Sequence, residues 1–503
     1  MRPIPTNAAG TTAEESTTSH VCRGVRWIAA VAAGLLWIGG VALAEDWPQF
    51  RGPNGTGISK ESRNLPVKFS FEEKVKWSVE LGKGIACPIV VGGRVFETAM
   101  VGEQEGEQKF TVFAFDAATG KPLWEKKFDT GLLPNVVFPN EHASSTPASD
   151  GDRVYVHFST LGLLALNASD GNLIWDYPLP VPFYFFGWGA ANSPIVYEDL
   201  VIFNLDDDLA SYLIALDKYT GKLRWRTERP EMLGGYAVPV LCEAGGRTDI
   251  VMAGSGKLKG YDPATGKELW TCNTLLRTIM TTPAVENDKI YVSVQSYSEN
   301  PQRVLSPALL RWKDINKDKK LSKSELNKAF WGKFDKGDKN KDGFLEDDEI
   351  DVAFQSPNNM VGGGNTIQAV KGGGSGDVTK THLLWNLDNK APSNISSPLV
   401  IGGRLFVVKE SGFSASFDAQ SGDTIWMQKR IDNPAHYYAS PITGDGKIYV
   451  TGENGYIVVL KQGPRRVILA KNDMGSSCVA TPAIADGHLY VRTSKTLYCL
   501  SED

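Results

Sequence analysis

The segment DKNKDGFLEDDE, residues 338–349, carries oxygen-bearing side chains at the spacing of a calcium-binding loop. Ca²⁺ prefers a cage of oxygen ligands, and a twelve-residue loop supplies them from positions 1, 3, 5, 7, 9 and 12. Position 7 binds through its backbone carbonyl, and position 6 is glycine because the chain turns sharply there. Gly343 occupies position 6 in this segment. The predicted ligands are Asp338, Asn340, Asp342, the carbonyl of Phe344, Glu346 and Glu349.

An upstream segment, DINKDKKLSKSE at 314–325, repeats this spacing with one substitution. Lys319 occupies position 6, where a side chain must tolerate a backbone conformation that favours glycine. We therefore expect the upstream loop to bind calcium more weakly than the downstream loop. The predicted upstream ligands are Asp314, Asn316, Asp318, the carbonyl of Lys320, Ser322 and Glu325. The alternative for both loops is a charged, solvated insertion that binds no metal.

The segments around the two loops have the apolar spacing of short amphipathic helices, over 303–313, 323–334 and 347–354. The loops begin 24 residues apart, at 314 and 338, which leaves room for one shared helix between them. This compact arrangement resembles the calcium modules of exported proteins such as dockerins. Leu321 and Leu345, at position 8 of each loop, are expected to bring the two loops side by side.

Outside this segment the chain consists of repeated strand-and-turn phrases. In the first phrase, Asp or Asn opens a turn, glycine supplies a positive φ, and a strand resumes toward tryptophan. The copies are FDAATGKPLW (115–124), LNASDGNLIW (166–175), LDKYTGKLRW (216–225), YDPATGKELW (261–270) and FDAQSGDTIW (417–426). Each copy therefore predicts a strand, a tight turn and a second strand.

A second phrase joins a small residue and proline to an apolar strand, a turn and an alternating strand. Its prolines lie at 88, 147, 194, 239, 283, 398, 441 and 482. Together the phrases give units of four short strands, which recur as propeller blades do. The last unit holds three strands, and EKVKWSVEL (73–81) supplies the fourth. The sequence thus predicts an all-β, eight-bladed β-propeller closed by its N- and C-terminal strands.

The calcium loops interrupt the fifth blade. Its proline and the next repeat proline, at 283 and 398, are 115 residues apart, and the surplus begins after the second strand. The predicted domains are a signal peptide (1–44), an irregular arm (45–72), a first propeller part (73–300), the insertion with its EF-hand pair (301–356) and a second propeller part (357–503). Since it joins second and third strands, the insertion should lie on the funnel face. The arm has an equal alternative as a mobile glycine-proline linker.

The N-terminus predicts export. WIAAVAAGLLWIGGVALA (27–44) is apolar, follows two arginines and ends in a small-x-small cleavage pattern. The alternative is an uncleaved anchor, since the run is long enough to span a bilayer. With the signal removed we expect no membrane span, a monomer, and a periplasmic or secreted location. A formal net charge of −5 offers no basic field for nucleic acid.

Two copies of the first phrase, AFDAATGKPLW (114–124) and ALDKYTGKLRW (215–225), resemble the tryptophan-docking repeat of pyrroloquinoline-quinone-type propellers. That superfamily includes quinoprotein alcohol dehydrogenases and BamB-like assembly lipoproteins. A quinoprotein dehydrogenase would imply a quinone clamped by tryptophan and, in many members, adjacent cysteines, with ring-bound calcium and an aspartate base. The five cysteines beyond the signal include no adjacent pair, so no catalytic residue is carried over. We expect these cysteines to be small, buried apolar residues.

The inter-blade loops of such a propeller gather around a central funnel. Here they bring aromatic and polar groups that suit a ligand or peptide site, or that fill the funnel instead. The candidate residues are Asn140, Glu141, His142, Tyr184, Phe186, Trp188, Arg277, His436, Tyr437 and Tyr438. The leading hypothesis is an exported, non-catalytic propeller that binds a protein or polymer partner at this face, with calcium in the insertion. The alternative is a dehydrogenase that uses the quinone cofactor in the funnel.

Overall fold

A computed structural model describes residues 45–502 of the chain with short gaps. The gaps are 105, 185–186, 209, 231, 233, 255, 274–279, 296–301, 304–309, 311–312, 327–330, 355–359, 362–364, 389–394 and 432. The predicted signal peptide lies outside the described residues.

The described chain forms eight radial sheets, numbered here as blades in chain order, and each is antiparallel through its first four strands. Blade 1 is Ile89–Val91, Arg94–Val101, Lys109–Asp116 and Pro122–Asp129. Blade 2 is Ala148–Ser149, Arg153–Phe158, Gly162–Asn167 and Leu173–Tyr177. Blade 3 is Ile195–Tyr197, Leu200–Asp206, Ser211–Asp217 and Leu223–Glu228. Blade 4 is Val240–Ala244, Arg247–Gly254, Lys257–Tyr261 and Glu268–Cys272.

The second half repeats the pattern. Blade 5 is Ala284–Glu286, Lys289–Gln295, Asn365–Lys371 and Leu383–Asp388. Blade 6 is Leu399–Ile401, Arg404–Val408, Phe413–Asp418 and Thr424–Arg430. Blade 7 is Ile442–Gly444, Lys447–Thr451, Tyr456–Lys461 and Val467–Asp473. Blade 8 is Ala483–Ala485, His488–Arg492, Thr496–Leu500 and Val75–Glu80. The predicted eight-bladed, all-β architecture is confirmed.

Burial follows strand position within a blade. In blade 3, every residue of the second strand, Leu200–Asp206, is buried, because both faces pack against neighbouring blades. The outer strand, Leu223–Glu228, buries Trp225 and exposes most of its other side chains. Burial thus decreases from the second strand to the outer strand. This decrease explains why the sequences of the second and third strands are apolar, whereas the fourth strand is polar around a single tryptophan.

In five of the eight blades, the tryptophan of the outer strand donates a hydrogen bond to a backbone carbonyl of the next blade. Trp77 Nε1 donates to the carbonyl of Ala117 at 3.0 Å, and Trp175 Nε1 donates to the carbonyl of Lys218 at 3.1 Å. A Cβ added to Gly120, in the turn of blade 1, would lie 2.6 Å from the Trp77 ring. The phrase therefore needs glycine both for a positive φ and for close approach to the tryptophan of the preceding blade.

Blade 8 contains strands from both ends of the described chain. Val75–Glu80 pairs antiparallel with Thr496–Leu500, and Trp77 lies opposite Cys499. A buried ion pair between Arg492 and Glu97, 2.5 Å apart, links blade 8 to blade 1. The N-terminal strand thus takes the place that the sequence assigned to it.

A ring of hydrogen bonds surrounds the propeller axis. It is formed by the residues that precede the repeat prolines, called the axial ring here: Cys87, Thr146, Ser193, Val238, Thr282, Ser397, Ser440 and Thr481. Each backbone N–H donates to the side chain of the next member, at 2.9–3.2 Å, in seven of the eight steps. The step from Ser193 to Val238 has no such bond because valine offers no acceptor. The last bond, from Thr481 to the Cys87 sulfur, crosses from blade 8 to blade 1.

The arm packs against the ring. Trp47 pairs with Val90 of blade 1, and Ile58 pairs with Thr443 of blade 7. Asn54 exchanges hydrogen bonds of 2.7 and 2.8 Å with the backbone of Leu241 in blade 4. The structure therefore supports the packed arm over the mobile linker. None of the described helices is long and apolar enough to cross a membrane.

The insertion lies between the second and third strands of blade 5, as predicted. It contains a 3₁₀ turn at Lys323–Glu325, α-helices at Trp331–Gly337 and Asp347–Phe354, and paired two-residue strands at Leu321–Ser322 and Phe344–Leu345. The helix expected over 323–334 is wrong in its first part, because Lys323–Glu325 form a 3₁₀ turn and Leu326 is extended. Short strands at Gln302–Arg303 and Met360–Val361 pair at its base.

One blade departs from the repeat. Gly376–Asp377, in the excursion that precedes the last strand of blade 5, pairs in parallel with the outer strand of blade 4. A short helix, Thr379–His382, follows it. Trp270 of blade 4 accordingly donates to Asp249 of its own blade at 2.7 Å, because blade 5 lacks the glycine turn of the phrase.

Candidate functional site

A cavity of about 310 Å³ lies on the propeller axis. Its walls combine the axial ring with residues of the inter-blade loops, and Phe50 of the arm lines it as well. In every blade, the inter-blade loop leads directly into the axial-ring residue. The cavity therefore opens at the end of the propeller where these loops lie. The end of the propeller that carries these loops is called the loop face below.

Three of the predicted funnel residues line this cavity: Asn140, Trp188 and Tyr438. The Asn140 side chain donates a hydrogen bond to the Trp188 carbonyl, which links the loops before blades 2 and 3. Tyr438 packs edge-on against Phe138, with ring centroids 6.2 Å apart. The structure thus brings three distant sequence segments together at the mouth.

Other predicted residues support the mouth without lining the cavity. Tyr184 is buried, stacks on Tyr236 at 5.0 Å and donates to Asn192 at 3.1 Å. Burial and the neighbouring carboxylates of blade 3 raise the pKa of Tyr184 well above its usual value. His436 stacks on Tyr438 at 5.7 Å, and its Nδ1 lies 3.1 Å from Glu410 Oε1.

The remaining predicted residues fall into separate places. Glu141 lines a second pocket of about 190 Å³ beside the first. His142 is half-buried, and desolvation lowers its pKa. Tyr437 is fully buried and donates to the Asn433 carbonyl at 2.9 Å, so it belongs to the core. Phe186 and Arg277 lie outside the described residues.

Sequence reasoning missed two residues at the mouth and one beneath it. Tyr236 and Glu410 line the cavity, and Phe50 of the arm closes part of it. Tyr236 stands two residues before Val238 of the axial ring, and this position at the end of an inter-blade loop was the available signal. Glu410 lies in the turn between the second and third strands of blade 6, and the expectation that such turns face the funnel was the available signal.

Exposed apolar side chains lie in the inter-blade loops that reach the mouth: Val137 lines the cavity, and Phe138 contacts Tyr438. Leu132, Val137 and Phe138 lie in the loop before blade 2, and Val181 lies in the loop before blade 3. Leu132 is 94% exposed and Phe138 is 59% exposed. Several large apolar groups exposed on neighbouring loops are typical of an interaction surface rather than of ordinary solvated loops. These four residues are called the apolar rim below.

The two predicted calcium loops have parallel geometries. In both, the backbone N–H at position 6 donates to the carboxylate at position 1, from Lys319 to Asp314 at 2.9 Å and from Gly343 to Asp338 at 3.2 Å. The two position-6 residues have φ of 66° and 84°. Lys319 therefore adopts the strained conformation that the sequence predicted.

Leu321 and Leu345 lie opposite each other in the paired strands, as predicted. Both side chains are fully buried in a small core together with Phe334 and Ile350. This core is the insertion's own, and it fixes the two loops side by side.

The downstream loop fits a cation. Asp338 is the ligand at position 1 of this loop. Its Oδ1 is buried and has no hydrogen-bond partner among the described residues, so this oxygen is left for a cation. The Glu349 carboxylate, at position 12, reaches back to the backbone N–H of Lys339 and Asn340. Among the described residues no three His, Cys, Asp or Glu side chains converge at one point. A calcium loop also uses amide and carbonyl oxygens, so the donor set does not depend on such a cluster.

The insertion reaches the rim of blade 3. Phe183, in the loop before that blade, packs against the core of the insertion. Asp207 Oδ2 accepts a hydrogen bond of 3.0 Å from the backbone of Phe183. Lys333 of the insertion is half-buried near Asp207 and Glu228, whose charges oppose the lowering of its pKa by desolvation. The insertion therefore lies at the loop face, as predicted, and contacts the segment that carries Tyr184.

The cavity does not match the quinone site that the superfamily resemblance implies. The five described cysteines are unbonded and buried, so no disulfide clamp is formed. Burial raises the pKa of Cys87, the member of the axial ring, to about 11. Glu410 is the one carboxylate among the described lining residues, and no aspartate is among them. No catalytic step follows from this set.

Comparison with known proteins identifies the repeat. The sequence profile of the family described as "Outer membrane protein assembly factor BamB" matches residues 58–184, 186–329 and 360–466. The chain is 22% identical over 409 residues to the outer membrane protein assembly factor BamB of Shewanella oneidensis, which covers 77% of this chain and 88% of that protein.

Solved structures give the same fold. The crystal structure of BamB from Moraxella catarrhalis aligns with a TM-score of 0.52 at 14% identity, over 85% of this chain and 97% of that chain. The quinohemoprotein alcohol dehydrogenase from Comamonas testosteroni aligns with a TM-score of 0.55 at 12% identity, over 91% and 80%. At these identities both likenesses show the fold alone.

Proposed function

The chain belongs to the family of the outer membrane protein assembly factor BamB, and we propose that it is an exported, non-catalytic propeller that binds a protein partner at its loop face. The observation that carries this proposal is the apolar rim beside the axial cavity. Leu132 and Phe138 are largely exposed there, and burying them against a partner would be favourable.

The chemistry of the rim favours an apolar polypeptide segment. The four rim residues carry no charge, and the cavity they adjoin exposes more apolar than polar surface. A short apolar stretch of an unfolded outer-membrane polypeptide has this character. The family description motivates that choice, and the periplasm is the compartment in which such a chain would be met.

We further propose that calcium orders the insertion. The ligands would be the twelve groups named from the sequence, with the downstream loop the tighter site because Gly343 adopts its φ of 84° without strain. Extracellular calcium modules bind at about 0.1 to 1 mM. Such affinities suit a structural role, in which calcium stiffens the insertion where it contacts Phe183 at the rim of blade 3.

A binding experiment tests the leading function directly. Purified chain, beyond the signal segment, is titrated into a fluorescently labelled outer-membrane β-barrel polypeptide that has been diluted from urea. We expect a saturable rise in fluorescence anisotropy, and a folded, detergent-solubilised barrel as the control should give none. Equal responses to both forms, or to neither, would contradict the proposal.

The quinone alternative is tested in parallel. The protein is mixed with pyrroloquinoline quinone and calcium, and the absorption spectrum and dye reduction with alcohols or sugars are recorded. We expect neither a retained chromophore after gel filtration nor alcohol-dependent dye reduction. Both signals together would replace the binding function with a dehydrogenase.

A further inference from the structure

The floor of the axial cavity is rich in hydrogen-bond donors. Besides Ser193, which donates to the Ala191 carbonyl, five hydroxyl groups of the axial ring line the cavity and accept a backbone N–H from the preceding blade. They belong to Thr146, Thr282, Ser397, Ser440 and Thr481. A hydroxyl group that accepts in this way still has its own proton to donate. The hydroxyl groups of Thr146 and Thr481 hydrogen-bond the side chain of Cys87. Those of Thr282, Ser397 and Ser440 donate to no acceptor among the described residues, so their protons are available near the axis.

A buried cation lies beside this ring. Arg51 of the arm is fully buried, and its Nη2 donates to the carbonyl of Pro398 at 2.7 Å and more distantly to that of Thr56 at 3.4 Å. Pro398 directly follows Ser397 of the axial ring. The arm approaches closely here, since a Cβ on Gly57 would lie 3.1 Å from Arg51 Nη2.

The charge of Arg51 has no counter-charge in the described protein. Its Nε and Nη1 are buried without a hydrogen-bond partner, and no described carboxylate forms an ion pair with it. Burial lowers the pKa of Arg51 to about 9, so the guanidinium stays protonated at neutral pH. Cys87, the neighbouring thiol, is neutral there because burial raises its pKa to about 11. A buried, unpaired charge is costly, and a bound anion removes that cost.

We propose that the propeller axis holds a small monovalent anion between the hydroxyl groups of the axial ring and the guanidinium of Arg51. The chemistry that would be recognised is a single negative charge that accepts several hydrogen bonds, as chloride or a small carboxylate does. The arm and the eight blades would then be joined at the axis by one ion. This site is independent of the calcium loops and of the apolar rim.

Stability measurements in matched salts test the site. Thermal unfolding of the full mature chain is followed in sodium chloride, sodium acetate and sodium gluconate at equal ionic strength. Because a ligand that binds the folded state stabilises it by mass action, we expect chloride or acetate to raise the melting temperature by about 2 °C, saturably, over gluconate. A response to chloride identifies a halide site, and a response to acetate alone identifies a carboxylate site. Equal melting temperatures in all three salts would overturn the proposal.

Variants of the axial ring test where the anion binds. Ser440→Ala and Thr282→Val remove one hydroxyl group each from the axial ring, which already tolerates valine at Val238. We expect both to lose at least half of the anion-dependent shift. Thr451→Val is the matched control, because Thr451 is fully buried in blade 7 outside the ring. An anion-dependent shift that survives in Ser440→Ala and Thr282→Val as it does in the control would contradict the assigned location.

Anomalous diffraction gives a readout that does not depend on variant stability. Crystals of the wild-type protein soaked in sodium bromide should show a bromine peak on the axis, within hydrogen-bond distance of Arg51 or the ring hydroxyl groups. Bromine peaks confined to the outer surface would overturn the halide form of the proposal. A carboxylate at the same position in crystals grown with acetate would support the carboxylate form.

Discussion

Replacing Gly120 by alanine tests the joint between blades most sharply. Gly120 has φ of +70°, and a Cβ there would lie 2.6 Å from the Trp77 ring. Trp77 belongs to the N-terminal strand of blade 8, so this contact also holds that strand to blade 1. The substitution therefore places one added carbon atom against the contact that closes the propeller.

Two costs add up in this variant. A non-glycine residue at this φ costs about 1 kcal/mol. Displacing the indole also breaks its 3.0 Å bond to the Ala117 carbonyl, worth about 1 kcal/mol, and loosens buried packing by a similar amount. We therefore expect the free energy of unfolding to fall by about 3 kcal/mol.

Gly93→Ala is the matched control. Gly93 has φ of +72°, but a Cβ there meets no atom within 4 Å. It should cost only the backbone term of about 1 kcal/mol. Urea unfolding followed by circular dichroism measures both variants, provided that the denaturant slope is unchanged. If the two variants lose equal stability, the tryptophan contact does not contribute as described.

Two further perturbations have defined outcomes. Burial lowers the pKa of His157 to about 3, so the unfolded chain alone gains this proton as the pH falls below 6.5. The contribution of neutral His157 to the free energy of unfolding is therefore fully present above pH 6.5. It should make the free energy of unfolding fall by about 1.4 kcal/mol between pH 7.5 and 5.5, and urea titrations of His157→Gln should lack this fall. An unchanged pH dependence in the variant would refute this. Calcium at 5 mM should raise the melting temperature of the wild type, and Glu349→Gln should weaken that response while Asp348→Asn retains it. If the calcium-dependent rise in melting temperature is the same in Glu349→Gln as in the wild type, the downstream loop is excluded as the calcium site.

The repeat was predictable because its signals are local. Each glycine turn and each repeat proline reports a short-range requirement, and the spaced tryptophan marks the outer strand of a blade. The pairing of Leu321 with Leu345 was predictable for the same reason, since position 8 of a calcium loop forms a short strand. The positive φ of Lys319 followed from its place in the loop.

The site was harder to predict because it depends on distant contacts. In the segment His436-Tyr437-Tyr438, the middle side chain lies on the opposite side of the backbone from its two neighbours. Tyr437 therefore enters the core, whereas His436 and Tyr438 stack outside it. We predicted all three at the funnel, because nothing in the segment shows which side chain is buried.

The arm and the fifth strand of blade 4 had no such signal. Arg51 is placed by the carbonyl of Pro398, 347 residues away, and no local pattern reports that contact. Gly376–Asp377 likewise pairs with Trp270–Thr271 across more than a hundred residues. Such pairings depend on the assembled ring rather than on the local chain.

The most direct test of the proposed function changes the apolar rim. Phe138→Asp is compared with Leu223→Asp, which alters an exposed leucine on the outer strand of blade 3. In the anisotropy titration with unfolded barrel polypeptide, Phe138→Asp should weaken binding roughly tenfold or more, as loss of a central apolar contact does. Leu223→Asp should bind as the wild type does. Equal affinities for both variants and the wild type would contradict a partner site at the loop face.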